Sequence, residues 1–220
     1  MGEHLTIQLQ GENLVLLPQR AIYWEQQQIL LASDLHLGKS GHFRKAGIAV
    51  SSEIHHDDLK RLSAILKEFP VKKIFFLGDL FHSDQNYEWT QFLTWRKSIL
   101  PIEIHWIKGN HDAPDSEWII TSEIHYHTSH FEHQPFFFTH QMILQEHLSK
   151  YQMAGHLHPA IRLTGKGKQS IKLPCFYFSD NYCVLPAFGN FTAGAVIRPK
   201  INDKVFMILE NKVLPMKGYK

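Results

Sequence analysis

Runs of apolar residues along the chain give the first indication of the fold. "HLTIQLQGENLVLLP" (4–18) alternates apolar and polar residues around a glycine and predicts a first β-hairpin. Three short unbroken apolar runs come next, in "QQILLAS" (27–33), "VKKIFFLG" (71–78) and "IEIHWIKG" (102–109). Their length and their Val, Ile and Phe content predict buried strands.

Two longer segments between these runs have the period of a helix. "SSEIHHDDLKRLSAILKEF" (51–69) begins with Ser52 as a candidate N-cap and has acidic residues in its first turn. "YEWTQFLTWRKSIL" (87–100) predicts a second helix. The residues expected on one face of each helix are Leu59, Leu62, Ile65, Leu66 and Phe69 in the first, and Trp89, Phe92, Leu93 and Arg96 in the second.

The later part of the chain is richer in strand patterns. "PFFFTH" (135–140), "YQMAGH" (151–156), "CFYFSD" (175–180) and "NYCVLPAFG" (181–189) predict strands separated by turns. The chain therefore has a βαβαβ order followed by a β-rich half, and we expect an α/β fold in which residues 1–220 form one layered domain.

Composition narrows the class of protein. The chain has 220 residues, is 44% hydrophobic and carries a formal net charge of +2, so it can bury one core and has no overall basic coat for nucleic acid. No apolar run reaches the length of a membrane helix, and we expect no membrane partner. Cys175 and Cys183 fit neither a disulfide framework nor a zinc pattern, which favours a reducing, cytoplasmic location. The 16 histidines are an unusual number, and histidine is the side chain most often used as a metal ligand or as a general acid or base.

Polar side chains able to bind a metal or move a proton come directly after five of the apolar runs. They are Asp34 and His36; Asp79 and His82; Asn110, His111 and Asp112; His140; and His156 and His158. Any one match is explained by a turn, a cap or a solvent-exposed histidine. Five such matches at strand ends predict a cluster of oxygen and nitrogen ligands without thiolate, which suits manganese, iron or zinc.

These residues lie in segments that resemble a known superfamily. "SDLHLG", "GDLFHS", "GNHD", "THQ" and "GHLH" resemble, in order, the five motifs of the calcineurin-like metallophosphoesterases and extend from Asp34 to His158. Within that superfamily, "ASDLHLGKSGHFRKAGIAVS" and "LPAFGNFTAG" are similar to the ligase-associated DNA damage response endonucleases of bacteria. Many members carry Asp or Glu where this chain has His82.

The resemblance implies a four-layer α-β-β-α sandwich with two divalent metal ions, of which manganese is expected first and iron or zinc are alternatives. The implied ligands are Asp34, His36 and His158 for one ion, Asn110, His140 and His156 for the other, and Asp79 as a bridge between them. His111 is implied to be a catalytic non-ligand that stabilises charge or protonates the leaving oxygen. Asp112 is expected either to orient His111 or to cap the turn after it.

A basic segment comes after the first motif and is the candidate substrate-binding site. Lys39, His42, Arg44 and Lys45 are expected to border the metals and to contact phosphate groups, unless they form a solvated loop. The remaining histidines are not expected to be ligands. They are His55 and His56 at a helix start, His105 in a strand, and His125, His127, His130 and His133 in a polar stretch expected to face solvent.

The expected function is a two-metal phosphoesterase that acts on DNA as an endonuclease or phosphodiesterase in DNA repair. A phosphatase or phosphodiesterase for a nucleotide or another small ester has the same metal core, so the motifs leave that alternative open. A non-catalytic interaction scaffold is a third hypothesis, although all the ligand positions and His111 are present. The resemblance also implies DNA-repair partners, namely an ATP-dependent ligase, a helicase and an exonuclease.

Overall fold

Two β-sheets packed face to face form the centre of the fold. In the computed structural model of the chain, the described residues are 2–38, 54–81, 87–114, 116–143, 150–165, 167, 169–190 and 192–216. Helices cover the outer face of the first sheet, and the second sheet lies on its inner face. This layered α/β sandwich agrees with the predicted fold class.

The first sheet contains seven strands within the described ranges, and their order across the sheet is their order along the chain. They are β1 (Leu5–Leu9), β2 (Glu12–Leu17), β3 (Ala21–Trp24), β4 (Ile29–Ala32), β5 (Lys73–Leu77), β6 (Glu103–Ile107) and β7 (His125–His127). The strands β1 to β4 are antiparallel, and β4 to β7 are parallel. The predicted hairpin and the three predicted buried strands are confirmed.

The described helices connect the parallel strands and pack on one face of this sheet. They are α1 (Ile54–Glu68), α2 (Tyr87–Ser98) and α3 (Ser116–Ser122). Leu62 and Phe92 are fully buried, and Arg96 is 5% exposed, so the faces predicted from the helical period are those that face the sheet. The predicted N-cap Ser52 lies outside the described residues.

The second sheet contains nine strands in the part of the chain that the structure describes. Seven of them are hydrogen-bonded in one continuous row, and the other two extend from that row. The strands are β8 (His130–His133), β9 (Phe136–Thr139), β10 (Tyr151–Ala154), β11 (Pro159–Thr164), β12 (Ser170–Phe178), β13 (Tyr182–Val184), β14 (Ala195–Val196), β15 (Lys204–Leu209) and β16 (Lys212–Pro215). The strand β10 lies between β9 and β13 and is parallel to both.

Large aromatic side chains fill the space between the sheets. Trp24 and Phe75 of the first sheet meet Phe136 and Phe138 of the second, with ring centroids 4.9 Å apart for Trp24 and Phe136 and 5.3 Å apart for Phe75 and Phe138. The strands β12 and β13 carry Cys175 and Cys183, which are buried free thiols. No helix among the described residues is long and apolar enough to cross a membrane.

The histidine-rich stretch at 125–133 forms the strands β7 and β8. The prediction that its four histidines face solvent is correct for two of them. His125 and His130 are exposed, whereas His127 and His133 are half-buried. His127 Nε2 lies 3.1 Å from His105 Nδ1, and the His133 ring contacts Trp24 at 5.5 Å. In β8, strand alternation turns His133 towards the space between the sheets and His130 away from it. In β7, His125 and His127 share one face, and both rings stack on His105 of the neighbouring strand.

Candidate metal centre

The carboxyl ends of five strands meet at one edge of the sandwich. The strands are β4, β5 and β6 from the first sheet and β9 and β10 from the second, and the residues just after them supply Asp34, Asp79, Asn110, His140 and His156. Backbone hydrogen bonds continue past the strand ends, from Asp34 N to Gly78 O (3.1 Å) and from Gly155 N to His140 O (3.0 Å). The polar residues therefore stand on fixed backbone.

Asp34, His36 and His158 form a first group whose donor atoms lie within 4.8 Å of one another. His158 Nε2 lies 3.0 Å from Asp34 Oδ1, and the rings of His36 and His158 have centroids 5.4 Å apart. The other oxygen of Asp34 accepts hydrogen bonds from the His156 N–H (2.9 Å) and from the Ser33 hydroxyl. Asp34 is thus fixed by Oδ2 while Oδ1 faces the imidazole.

Asp79, His140 and His156 form a second group within the same distance limit. His140 Nε2 lies 3.5 Å from Asp79 Oδ2, 3.1 Å from His156 Nδ1 and 2.9 Å from Asn110 Oδ1. The Nδ1–H group of His140 donates to the Leu77 carbonyl at 2.9 Å. This hydrogen bond fixes the orientation of the imidazole, so that Nε2 faces the other residues of the group.

Asp79 lies between the two groups. Its Oδ2 is 3.8 Å from His36 Nε2 in the first group and 3.5 Å from His140 Nε2 in the second. Its Oδ1 accepts the His111 N–H at 2.9 Å. Burial opposes ionisation, but the hydrogen bond and charge of His140, the His111 N–H and the charge of His36 together lower the pKa of Asp79 to about 2.

Five of these residues have left-handed backbone conformations that side chains other than glycine rarely adopt. They are Asp34 (φ 54°), His36 (48°), Asp79 (47°), His156 (67°) and His158 (49°). Such a conformation costs about 1–2 kcal/mol per residue, and it persists where surrounding structure enforces it, which is common at functional sites. Among the described residues, five other non-glycine residues with positive φ lie outside the two groups: Gln10, Arg20, Gln28, Glu123 and Glu210.

The side chains fit a pair of divalent cations. Asp34 Oδ1 and His158 Nε2 are buried, and within the described part of the chain neither makes a hydrogen bond although they lie 3.0 Å apart. Two ligands that each lie 2.0–2.2 Å from one ion are about 3–3.5 Å from each other, which is the spacing found here. Carboxylate, amide and imidazole donors without thiolate suit manganese, iron or zinc.

His111 and Asp112 come directly after Asn110 but face different surroundings. His111 is exposed, and its ring lies 5.5 Å from that of His36, at the open side of the centre. Asp112 is buried and accepts hydrogen bonds from Gly109 N (2.7 Å), Trp106 Nε1 (3.0 Å) and Phe81 N (3.1 Å). Burial raises the pKa of Asp112 to about 6, although these hydrogen bonds oppose the shift.

Through these contacts Asp112 joins the loop after β5 to β6 and to the start of the loop after it. Its two predicted roles, orienting His111 and capping the turn after it, stay predictions. The basic segment with Lys39, His42, Arg44 and Lys45 lies outside the described residues, as does His82, so their predicted roles also stay predictions.

Comparison with known proteins gives the family. A profile of the calcineurin-like phosphoesterases matches residues 28–177, which include both groups. The chain belongs to this family. Among solved structures, it is similar to the Pseudomonas putida nuclease MPE, with 27% identity and a TM-score of 0.80 over 97% of this chain and 100% of that one. A protein of unknown function from Aquifex aeolicus matches with 18% identity and a TM-score of 0.42, covering 64% of this chain and 82% of that chain. No curated protein matches the sequence.

Membership of the calcineurin-like phosphoesterases identifies the chain as a metal-dependent hydrolase of phosphate esters. The family uses divalent metals, and the two groups of side chains are the candidate ligands for them. The scaffold hypothesis is therefore not needed to explain the motifs.

Several residues that shape the phosphoesterase centre were not singled out from the sequence. Ser33 donates to Asp34 Oδ2, and Gln141 Nε2 lies 3.3 Å from His156 Nε2. A Cβ atom added at Gly155 would overlap Ser33 Oγ, and one at Gly109 would overlap Asp79. Their position directly beside a predicted ligand is the only signal that the sequence offers.

A third group of possible ligands lies at the side of the sandwich, away from these strand ends. Glu103, His105 and His125 are within 4.8 Å of one another. Lys73 Nζ lies 2.9 Å from Glu103 Oε2, so the carboxylate is already neutralised by a side chain. The ring of His105 stacks on His125 and lies 4.6 Å from Phe131, which fits a packing role. We therefore keep the prediction that His105 and His125 are not ligands.

Proposed function

We propose that this phosphoesterase is a two-metal nuclease that hydrolyses phosphodiester bonds of DNA. The observation that carries the two-metal assignment is the position of Asp79, whose Oδ2 lies within 3.8 Å of an imidazole of each group. The observation that favours nucleic acid is the similarity over 97% of the chain to a protein described as a nuclease.

The proposed ligands divide as the two groups do. Asp34, His36 and His158 hold one ion, Asn110, His140 and His156 hold the other, and Asp79 contacts both. Two divalent ions so held would supply positive charge for the phosphate and lower the pKa of a water molecule. Manganese is the ion that we propose, with iron or zinc as alternatives.

The residues of the chain then have separate tasks. Asp79 and Asp34 neutralise part of the cationic charge, and their second oxygens are held by the N–H groups of His111 and His156 at 2.9 Å each. His111 lies at the open side, where its imidazole can stabilise charge on the phosphate or give a proton to the leaving oxygen. Lys39, His42, Arg44 and Lys45 are proposed to contact neighbouring phosphates.

A role in cytoplasmic DNA repair, with a ligase, a helicase and an exonuclease as partners, is proposed from the sequence resemblance alone. The competing proposal is a phosphatase or phosphodiesterase for nucleotides or other small esters. It uses the same centre, so only substrates distinguish the two.

The test is hydrolysis by the purified protein with added manganese. The substrates are single-stranded, nicked and duplex DNA beside a chromogenic phosphodiester and a chromogenic phosphomonoester. We expect cleavage of DNA and of the diester, both abolished by a chelator and restored by manganese. Hydrolysis of the monoester or of nucleotides alone would favour the small-ester enzyme, and no turnover of any ester would contradict both.

A further inference from the structure

A second cleft opens beside the candidate metal centre, and His158 borders both. The cleft has a volume of about 170 Å³. Its lining includes Arg20, Lys172, Thr192, Pro159 and Ala187 besides His158. We call it the Arg20 cleft. It is adjacent to the first ligand group because the same imidazole has its Nε2 3.0 Å from Asp34 Oδ1.

The charge of the Arg20 cleft is one-sided. Arg20 and Lys172 supply two cations, and none of the described residues that line it is acidic. Neither cation forms an ion pair within 4 Å with a carboxylate of a described residue. The Asp58 carboxylate pairs with Arg61 at 3.2 Å, and its charge also acts on Arg20 from beyond contact distance, where it opposes the lowering of the Arg20 pKa by burial. A pair of cations without a carboxylate in contact, beside a phosphoesterase centre, favours an anion.

Both cations are held in place by backbone carbonyls. Arg20 lies in the turn between β2 and β3 with φ of 69°, and its Nη1 donates to Gly189 O at 3.3 Å. Lys172 of β12 donates from Nζ to Gly194 O at 3.1 Å. A guanidinium has five N–H donors and an ammonium three, so one such bond orients each group without using all of its donors.

A purely structural role does not account for both cations. The backbone that each cation contacts is already fixed by other bonds. Phe188 N donates to Ser33 O (2.8 Å) and Gly189 N to Asp34 O (3.1 Å) near the Arg20 contact, and Ala195 N donates to His158 O (2.9 Å) near the Lys172 contact. Arg61 adds a bond to Asn190 Oδ1 (2.7 Å) and lies 4.3 Å from the centre of the Phe188 ring.

We infer that the Arg20 cleft binds the phosphate next to the one being cleaved, with Arg20 and Lys172 as its contacts. This inference rests on the proposed function and narrows it, because only a substrate with consecutive phosphates uses such a subsite. A volume of about 170 Å³ is below the roughly 300 Å³ at which pockets for whole small ligands begin. The cleft therefore suits one phosphate group of a nucleic acid backbone.

The test compares Arg20→Gln, Lys172→Gln and the double variant with the wild type. A fluorescein-labelled single-stranded oligonucleotide is the probe for binding by anisotropy across a salt series, and the same oligonucleotide and a chromogenic diester are the substrates. Loss of a charge-assisted contact should weaken oligonucleotide binding about tenfold at low salt. The slope of log affinity against log salt should fall by about 0.7 for one lost phosphate contact.

The diester has a single phosphate, so the loss in its kcat/KM should be at least tenfold smaller than the loss on the oligonucleotide. Arg20→Lys keeps the charge and should restore most of the binding. Lys73→Gln is the charge-matched control, because Lys73 begins β5 and so lies at the opposite end of that strand from Asp79. It should change neither binding nor turnover.

An unchanged salt slope in the double variant would overturn the cleft assignment. Equal losses on both substrates, or a loss of bound manganese, would also overturn it, since the cations would then support the centre itself. If the Arg20 variants fold poorly, Lys172→Gln alone still tests the cleft assignment, because Lys172 is exposed and its substitution should leave the fold intact. Failure of the proposed function is distinct: the wild type would then cleave no DNA, whereas the oligonucleotide would still bind with a salt slope that the double variant reduces.

Discussion

Single residues at the centre divide into those that can hold a cation and one that faces the open side. His111 is next to Asn110 in sequence, and its backbone N–H donates to Asp79 Oδ1 at 2.9 Å. The His111 ring lies beside His36 and is exposed. This arrangement separates chemistry from metal binding, and it can be tested one side chain at a time.

His111→Asn should keep both metals and lose turnover. A general acid or electrostatic helper contributes about 10²–10⁴-fold to rate, so kcat on the chromogenic diester should fall by that range. Metal content by elemental analysis is the accompanying measurement. If the variant binds fewer metals than the wild type, His111 is a ligand and the division of the imidazoles is wrong.

Gly155→Ala should impair metal binding while the fold is retained. The added methyl would overlap Ser33 Oγ and crowd Asp34 Oδ2, which forces apart the ends of β4 and β10. We expect manganese affinity to fall at least tenfold, as measured by titration calorimetry. Gly167→Ala is the control, because a methyl there meets no atom within 4 Å, although its φ of 85° adds some strain. Equal affinities in the two variants would contradict the account.

At the scale of elements, the loops after β5 and β6 are tied together by Asp112. Asp112→Asn replaces one acceptor oxygen by an NH₂ that faces N–H donors, so a buried donor loses its partner. The free energy of unfolding of the metal-free protein should fall by about 1–3 kcal/mol. If Asp112 instead orients His111, kcat at full metal occupancy should fall while the unfolding energy changes little. Denaturant titration and steady-state kinetics on one preparation distinguish these outcomes.

The elements that carry the centre could be predicted from the sequence because each combines a buried apolar run with an abrupt polar end. "ILLAS" before Asp34 and "IFFLG" before Asp79 are such cases, and both became parallel strands. The strands β3 and β7 and the short helix α3 could not be predicted in the same way. They have few residues and weak periodicity, and neighbouring strands rather than local propensity stabilise them.

Long-range partners were also beyond the sequence. Nothing local indicates that Arg20 approaches Gly189, or that His127 approaches His105, since each pair is brought together by the sheets. The ligand assignment was easier, because strand ends in an open sheet meet at one edge whatever the lengths of the loops between them.

For the whole molecule, we propose that residues 1–220 form one domain. Its free energy of unfolding should decrease at acid pH because of the partly buried His105. Burial and the charges of His125, His127 and Lys73 lower the pKa of His105 to about 4 from 6.5. Between pH 4 and pH 6.5, His105 therefore binds a proton in the unfolded chain but not in the folded chain. Stability from this group is complete above pH 6.5 and is lost as the pH falls towards 4.

His105→Phe and His105→Gln should both flatten this dependence in the metal-free protein. From the pKa difference, the wild type should lose roughly 2–3 kcal/mol more than either variant between pH 7 and pH 4. Urea unfolding at several pH values measures it, and a single cooperative transition is expected throughout. A wild-type pH slope that persists in both variants would exclude His105 as its source.

The central claim is that one carboxylate serves two metal ions, and metal stoichiometry in Asp79→Asn tests it most directly. Manganese bound per chain, and its affinity, are measured by equilibrium dialysis with elemental analysis for the wild type and the variant. We predict two ions in the wild type and a weakening of both in Asp79→Asn, because the shared negative charge is removed while the amide keeps the shape. Two ions bound to the variant at wild-type affinity would contradict the account.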